Sequence, residues 1–556
     1  MGSVVGRETL AVVNAPVGSG ALYSNTGGFF NTAMGTGQYG VTQGARGANT
    51  TGDKNTAVGS HALLANTTAS GNTAVGARSF QASTTGLQNV GVGFESGKNN
   101  TTGYNNVFVG ENAASSNTTG HHNTAVGRLA SSANTTGSQN TSVGAEALQQ
   151  NTADNNTAVG YQALEENTSG AQNTAIGVQA LDENTTANEN TAVGYAALGA
   201  NTTGASNVAL GSRSLKANTT ASKNIAVGYE ALGAATTGHD NIAIGYEALD
   251  ANTTGIRNVA IGSNALTAQA TGSENVAVGF YALQANTTSG QRNVAVGNEA
   301  MSQNTTGGNN TAVGHACLDA NTTGSQNVAV GRGALTGNTT GGGNTAVGDN
   351  ALDLNTTAAN NTGIGISALG ANTSGTQNTA VGGYAMQSNT TANNNTAIGY
   401  VALLANTTGH SNAAVGTYAL DANTSGTTNT AIGYEAQTVS TTAVSNTCVG
   451  NVAGQALTTG SYNVLVGSGA GDAQTTANSN VAIGNGALTS NQTSEGCVAV
   501  GGEALQMNTA ANNTAVGFQA LEENTTGNDN VAVGAFALDA NITGATNVAI
   551  GASALG

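Results

Sequence analysis

The sequence has few of the residues on which disulfide-bonded and membrane-spanning proteins depend. In 556 residues there are one proline, no tryptophan, three cysteines and only 7% charged side chains. Three cysteines cannot form a disulfide framework, and Cys317, Cys448 and Cys497 are too far apart in sequence for a zinc finger. The positions of the first two indicate small buried replacements for alanine. No apolar run approaches the roughly 20 residues of a membrane-spanning helix, so the sequence predicts no membrane insertion.

The net charge and the N-terminal residues argue against two further classes of protein, nucleic-acid-binding proteins and proteins with a secretory signal peptide. The formal net charge is −17, which argues against a nucleic-acid-binding protein because phosphate recognition needs basic patches. The carboxylates are spread along the chain and indicate a soluble surface. Residues 1–13 contain only the short apolar run 10–13, below the roughly 7–15 residues of a signal-peptide core, so no secretory signal is predicted.

What the sequence does contain is a repeat. The segment 156–177 reads NTAVGYQALEENTSGAQNTAIG, and the opening phrase recurs 17 residues later. With positions numbered 1–17, positions 1–5 read Asn, Thr/Val, Ala, Val/Ile, Gly. Positions 8 and 9 are usually Ala-Leu, and positions 12–15 are usually Asn-Thr-Thr-Gly. From Asn14 to Asn547 the repeat starts 32 times, and Cys497 replaces one first Asn. Such a period indicates one quasi-linear array rather than several globular domains.

The pattern predicts an all-β protein, a parallel β-solenoid (β-roll) of about 32 coils. Positions 2–4 alternate like a strand, positions 8–14 are expected to form a second extended stretch, and the glycines at positions 5 and 15 mark turns that need a permissive backbone. Coils stacked at about 4.8 Å would extend on the order of 150 Å. We expect residues 1–13 to be a capping or assembly segment and residues 14–556 a continuous solenoid. The array has an insertion near 36–48 and irregular coils near 94–131 and 437–497.

The expected interior is small. Position 4, position 9 and sometimes position 2 supply about two large aliphatic side chains per coil, each returning roughly 1.5–3 kcal/mol on burial. Ordering 17 residues costs roughly 1–2 kcal/mol each in backbone entropy. Sharing apolar faces among chains would enlarge the core, so we expect a homotrimer.

The asparagines at positions 1 and 12, and the threonines, are expected to stack in ladders. Asn-Thr-Thr, as at 66–68, is also a glycosylation sequon. A structural ladder is the stronger interpretation, because stacking requires the same residues.

The phrases NTAVG and NVAIG, followed by two variable residues and Ala, resemble the head repeats of trimeric autotransporter adhesins. The form NTAVGYQAL at 156–164 is similar to repeats of phage and bacterial tail-fibre-like proteins. The resemblance covers residues 14–556. It implies a trimeric β-roll and a structural or adhesive role.

No catalytic constellation is evident. The six histidines, His61, His121, His122, His239, His315 and His410, cannot cluster as a site because most lie in well-separated coils. We predict a non-enzymatic protein with no cofactor, no metal site and no catalytic residue.

Two surface features are candidates for binding. Aromatic residues recur at position 6, and adjacent Tyr229 and Tyr246 are expected to stack; such rows bind sugars or partner surfaces, although shielding of the turn is the preferred interpretation. The position-6 aromatics are Phe94, Tyr161, Tyr195, Tyr229, Tyr246, Phe280, Tyr400, Tyr434 and Phe518. An acidic cluster of Glu165, Glu166, Asp182 and Glu183 fits a divalent cation, but a solvated surface is the stronger interpretation.

The array loses its position-9 Leu in two places. The replacements are Gly97, Ala114 and Ser131, and then Gln437, Gly454 and Gly471; the second set also loses the position-12 Asn at Ser440, Leu457 and Gln474. The missing leucines indicate a locally thin core, a groove that interrupts the rod, or sequence drift in a tolerant array. Leu129 and Val452 at position 7 are candidates for compensation.

Three functions fit these observations. The first is a structural fibre, a rigid shaft or adhesive head on a virion or cell surface, with a host or cell-surface receptor as partner of a head; without a signal peptide, the tail-fibre form is favoured. The second is an ice-binding surface for which positions 13 and 14 supply candidate threonine rows, although only one of the two rows can be exposed because adjacent strand residues face opposite sides. The third is an extracellular filament subunit that joins head to tail through its termini, since the sequence ends without a cap and an open solenoid end presents unpaired strands.

Overall fold

The computed structural model describes residues 14–17, 22, 24–35, 47–287 and 290–556. The predicted N-terminal segment, 1–13, and most of the predicted insertion near 36–48 lie outside the described residues. The chain divides into two compact units, Met1–Ser273 and Glu274–Gly556.

Each coil contributes one three-residue strand at positions 2–4 of the repeat. The strands of the first unit are β1 Ala15–Val17, β2 Thr32–Met34, β3 Thr56–Val58, β4 Thr73–Val75, β5 Val90–Val92, β6 Val107–Val109, β7 Thr124–Val126, β8 Thr141–Val143, β9 Thr157–Val159, β10 Thr174–Ile176, β11 Thr191–Val193, β12 Val208–Leu210, β13 Ile225–Val227, β14 Ile242–Ile244 and β15 Val259–Ile261.

The second unit begins with β16 and has the same pattern. Its strands are β16 Val276–Val278, β17 Val294–Val296, β18 Thr311–Val313, β19 Val328–Val330, β20 Thr345–Val347, β21 Thr362–Ile364, β22 Thr379–Val381, β23 Thr396–Ile398, β24 Ala413–Val415, β25 Thr430–Ile432, β26 Thr447–Val449, β27 Val464–Val466, β28 Val481–Ile483, β29 Val498–Val500, β30 Thr514–Val516, β31 Val531–Val533 and β32 Val548–Ile550.

Within each unit, consecutive strands pair in parallel and in register. In the first unit Thr174 lies opposite Thr191, and in the second Thr379 lies opposite Thr396. Equivalent repeat positions therefore stack on one another, even across the shortened coil that begins at Asn140. The predicted parallel β-solenoid with a 17-residue repeat is confirmed.

The predicted second extended stretch is wrong. Positions 6–11 form consecutive turns and positions 13–14 form a bend, so each described coil has only one strand. Backbone hydrogen bonds nevertheless join the turns of neighbouring coils: Leu164 N–H donates to the carbonyl of Ala180 over 2.9 Å. No helix occurs in the described part of the chain, and none there could span a membrane.

The interior differs from the one expected. Positions 3, 8 and 9 point inward, as in Ala192, Ala197 and Leu198, which are all fully buried. Positions 2 and 4 point outward, since successive side chains on a strand face opposite sides. The narrow coil leaves room for one large aliphatic side chain, and alanines fill the remainder. The assignment of positions 2 and 4 to the core is therefore wrong.

The predicted asparagine ladders are confirmed. At position 12, Asn321 Nδ2 donates to Asn304 Oδ1 over 2.8 Å and to the Gly324 carbonyl over 3.0 Å. At position 1, Asn72 Oδ1 accepts the backbone N–H of Asn89, and Asn72 Nδ2 donates to the Gly86 carbonyl. These bonds satisfy polar groups buried beside the apolar interior. Because the sequon asparagine Asn66 is fully buried, attachment of a glycan is incompatible with the folded coil.

Three interruptions of the position-12 ladder leave buried acceptors without partners. The oxygens Oδ1 of Asn66, Asn218 and Asn423 have no hydrogen-bond donor. In the sequence each precedes a coil without asparagine at position 12, where Ser83, Ala235 and Ser440 stand. A buried acceptor without a donor carries its desolvation cost uncompensated.

Replacing Ala235 with asparagine should therefore stabilise the protein. The new amide can donate to the unpartnered Asn218 Oδ1 and accept from Asn252 Nδ2, as Asn321 does with its two neighbours. We expect a gain of about 1 kcal/mol in the free energy of unfolding, measured by urea denaturation. The matched control, Asn321→Ala, should lose at least as much. Equal stability of Ala235→Asn and wild type would contradict the ladder argument.

Left-handed backbone occurs mainly where it was not expected. Positions 7, 9 and 17 adopt positive φ with ordinary side chains, as in Gln162 (55°), Leu164 (55°) and Gln172 (62°). The predicted need for a permissive backbone at position 5 is confirmed, because Gly194 has φ near 138°. Position 15 is not left-handed, and Ala187 and Ala221 occupy it in other coils. Permissive backbone is thus not required at position 15.

The interior of the irregular coils is filled by large side chains from neighbouring positions. In the first region, Phe80 at position 9 and Phe108 at position 3 fill the interior with their rings 5.7 Å apart. Gly97 lies between them, and a Cβ there would come within 2.8 Å of Phe108 Cδ2. The missing leucine therefore makes room for the two rings.

In the second region, too, a large side chain at another position occupies the space that the missing position-9 leucines leave; we call this the exchange of volumes. Leu465 replaces the small residue at position 3, and a Cβ at Gly454 or Gly471 would lie 2.9 or 2.8 Å from its methyl carbons. Leu129 and Val452 lie half-buried at the surface. The compensation predicted for these two residues is wrong, because Phe80, Phe108 and Leu465 provide it.

Candidate functional site

The most extensive candidate surface is the outer face of the strands, which we call the strand face: positions 2 and 4 of every described coil. Position 2 carries Thr, Val or Ile, and position 4 carries Val or Ile in nearly every coil. Ile244 and Ile261, at position 4 of consecutive coils, each keep 37% of their surface exposed. Rows of aliphatic side chains thus face outward throughout each unit. Contiguous exposed apolar surface of this kind is typical of interaction sites.

Few charges interrupt the strand face. Most of the ion pairs instead join positions 6, 7 and 10, on the turn that follows the strand: Arg213 and Lys216 both contact Glu230 over 3.0 Å. The pKa of Glu230 is lowered, first by its hydrogen bond with Lys216. The strand face and the charged turn are therefore chemically distinct surfaces of one coil.

The position-6 aromatics are exposed, and the predicted stack is confirmed. The rings of Tyr229 and Tyr246 are 5.5 Å apart with a 14° angle between planes. About half of each side chain remains exposed in Tyr195 (54%) and Tyr400 (49%). The aromatic rings at position 6 therefore remain accessible beside the turn.

The structure also reveals an aromatic row that the sequence analysis missed. Tyr384, Tyr400, Tyr418 and Tyr434 lie in four consecutive coils, alternately at positions 7 and 6. Their successive rings are 6.1, 6.0 and 6.4 Å apart, and the angles between planes are 81–84°. Counting position 6 alone hid this row; counting positions 6 and 7 together would have shown four tyrosines in consecutive coils, but not that their rings meet. We call these four residues the tyrosine row.

The acidic cluster is a set of mutually repelling carboxylates. Burial raises the pKa of Asp182 to about 6, with the charges of Glu183 and Glu166 adding to the effect. The pKa of Glu165 is also raised, first by burial and then by Asp182. No group of three or more metal-ligating side chains occurs among the described residues. Protonation of Asp182 relieves this repulsion only as the pH falls below about 6.

Asp182 should therefore make stability depend on pH. The folded-state pKa is above the unfolded value of 3.8, so the folded form binds the proton more tightly and the unfavourable contribution disappears as pH falls below about 6. We expect Asp182→Asn to raise the melting temperature at about pH 7.5, with the gain vanishing near pH 4.

Glu95 provides a control with the opposite sign. Its hydrogen bond with Arg78, followed by its contacts with Lys98, lowers its pKa. Its stabilising contribution is present above the unfolded value of 4.5 and is lost as pH falls through the folded value. Glu95→Gln should therefore lower the melting temperature near neutral pH. A pH-independent effect of Asp182→Asn would contradict the assignment.

The histidines and cysteines do not form a reactive centre among the described residues. His121 stacks on Tyr104 at 4.7 Å, and its Nδ1 lies 3.0 Å from Ser138 Oγ. Burial raises the pKa of the Cys317 and Cys448 thiols to about 12, and both residues are fully buried. The two thiols therefore fill space in the interior, as expected.

The two threonine rows have different roles. At position 13 the hydroxyl of Thr185 donates to the carbonyl of Thr202 over 3.1 Å, and the same bond recurs along both units. Position 14 is exposed, as at Thr186 and Thr254. Position 13 therefore forms a structural ladder and position 14 a solvent-facing row.

No protein-family model matches the chain, and no curated protein matches it.

Proposed function

We propose that this protein is a non-enzymatic structural fibre, a β-solenoid shaft or adhesive head displayed on a virion or cell surface, in which three copies associate through their strand faces. The observation that carries the proposal is the outward-facing aliphatic row at position 4, which is exposed in coils such as those of Ile244 and Ile261 and partly exposed in the others. Association of copies would remove these side chains from water, at roughly 25 cal/mol per Å² of apolar surface.

The interior adds to this argument. Each regular coil buries only one leucine and small alanines. The hydrogen bonds of the asparagine ladders supply the other ordered contacts between coils. Aliphatic side chains that could have enlarged the core instead face outward. A second copy is a suitable partner for such a face, because every coil of the partner presents the same side chains at the same spacing. The exposed position-4 rows and the repeat resemblance together favour a fibre.

Light scattering of the purified chain tests the association. The expected mass is three times the 54.0 kDa of one chain. Ile244→Lys combined with Ile261→Lys places charges on the strand face and should weaken the association, so that on dilution the mass falls at a higher protein concentration than for wild type. As a matched control, lysines at the exposed Thr237 and Thr254 lie at position 14 and should leave the mass unchanged. A monomeric wild type, or equal masses for both variants and wild type, would refute the proposal.

An ice-binding surface is a second candidate, favoured by the regular exposed threonines at position 14. The exposed row is the one at position 14, since the position-13 hydroxyls are engaged in the ladder. Thermal hysteresis measures this function directly, and its absence in concentrated protein would dismiss it. The filament hypothesis depends on residues 1–13, which lie outside the described residues.

A further inference from the structure

We propose that the tyrosine row, Tyr384, Tyr400, Tyr418 and Tyr434, is a binding strip for an extended neutral polysaccharide. This goes beyond the structural role above and concerns a different surface, on the turn at positions 6 and 7. The row is the longest continuous series of ring contacts in the described residues.

The geometry of the row suits a linear ligand. The rings of successive coils are nearly perpendicular, and Tyr400 and Tyr434 occupy the same repeat position, two coils apart. Tyr400 and Tyr434 remain 49% and 50% exposed. Two coils span about 9.6 Å at the usual strand spacing. An extended chain of sugar rings can therefore place alternate apolar faces against Tyr400 and Tyr434.

Polar groups at the end of the row suit sugar hydroxyls. Glu435 follows Tyr434 directly, and its Oε2 accepts a hydrogen bond from Gln455 Nε2 over 2.6 Å. This bond holds the carboxylate in place beside the phenol. Carboxylates are acceptors only, and sugar hydroxyls are donors that match them.

Charge selects the class of polysaccharide. The last Lys or Arg in the sequence is Arg332, so neither residue occurs in the coils of the row or anywhere after them, and His410 is the one histidine there; Asp421 and Glu435 lie in the same coils. Anionic glycans would meet only like charges. A neutral chain pays no such electrostatic cost, and aromatic faces bind it through contacts that need no charge.

A partner protein is the competing occupant of such a row. Hot spots of protein interfaces combine aromatic residues with arginine, and the row has no arginine beside it. The repeat of identical rings at coil spacing also matches a periodic ligand better than an irregular protein surface. These two features favour the polysaccharide.

Affinity electrophoresis of the full chain tests the proposal. Gels containing hydroxyethylcellulose, xylan or mannan supply neutral polysaccharides, and a gel containing alginate supplies an anionic one. We expect retardation by at least one neutral polymer and none by alginate. Replacing Tyr400 and Tyr434 together with alanine should weaken binding roughly ten-fold or more, because it removes both of the position-6 rings of the row.

The chain offers a matched control. Phe518 and Phe536 occupy positions 6 and 7 of consecutive coils, with rings 5.5 Å apart at 82°, but they form a pair and not a row. Replacing both with alanine should leave retardation unchanged. Replacing Tyr400 and Tyr434 with phenylalanine keeps the rings and should preserve most of the binding.

Several outcomes would overturn the proposal. They are no retardation of the wild type by any neutral polymer, equal retardation by alginate, full binding by the alanine variant, or equal losses in the phenylalanine variant and the alanine variant. Light scattering separates this proposal from the fibre proposal: if the alanine variant becomes monomeric, the row is a contact between copies and not a glycan site. A monomeric wild type that binds a neutral glycan would refute only the trimer.

Discussion

Replacing Gly194 with alanine should destabilise the first unit more than any change of similar size at the surface. Gly194 holds φ near 138°, which L side chains rarely adopt, and a Cβ would lie 2.5 Å from the carbonyl oxygen of Gly211 in the next coil. The backbone strain and the steric overlap each cost roughly 1–3 kcal/mol. Thermal unfolding followed by circular dichroism should show a clearly lower melting temperature.

The same coil contains the control. Gly199, at position 10, has no left-handed φ, and a Cβ added there would lie 3.4 Å from its nearest neighbour, the carbonyl oxygen of Ala196. Gly199→Ala should be neutral or slightly stabilising, because alanine restricts the unfolded chain. If both variants unfold at the same temperature as wild type, the close approach of position-5 glycines is not a constraint on the fold.

The stacking of coils could be predicted because it depends only on the repeat. A 17-residue period with Asn, Thr and small residues in register stacks each residue on the equivalent residue of the next coil, whatever the path of the chain within one coil. The parallel register and the asparagine ladders follow from that period, and both are observed.

The path within the coil could not be predicted as reliably. The β-branched residues at positions 2 and 4 are large and apolar, which favours the core, yet they also favour strands on an exposed face. Ala192 and Leu198 fill the interior because facing walls of the coil lie close together, and that distance is a property of the folded turn. The left-handed residues at positions 7, 9 and 17 give no signal either, since ordinary side chains occupy them.

The candidate surfaces could be predicted only in part, for the same reason. Tyr229 and Tyr246 share position 6, so their stack is visible in the repeat. The tyrosine row alternates between two positions, and only the geometry of the turn shows that positions 6 and 7 face the same side. The strand face becomes apparent only once the true interior is known.

Restoring the repeat's usual leucine at Gly97 should disrupt the first irregular region. The backbone is not the obstacle, since Gly97 has φ near 60° and Leu198 has φ near 53° at the same position. The obstacle is volume: a Cβ at Gly97 would already overlap the rings of Phe80 and Phe108. We expect Gly97→Leu to lose roughly 3 kcal/mol in the free energy of unfolding, measured by urea denaturation, with faster amide exchange in β5 and β6.

A compensating variant tests whether overlap with the two phenylalanine rings causes the loss of stability in Gly97→Leu. Gly97→Leu combined with Phe80→Leu and Phe108→Ala gives these three sites the residues of the regular coils, and it should recover most of the lost stability. Phe80→Leu with Phe108→Ala alone should be unstable as well, because it leaves a cavity that costs roughly 3–5 kcal/mol. The triple variant should therefore be more stable than either Gly97→Leu or the double variant. If the triple variant is no more stable than Gly97→Leu, the two phenylalanines do not fill the space that leucine occupies elsewhere, and the irregular coils have a different origin.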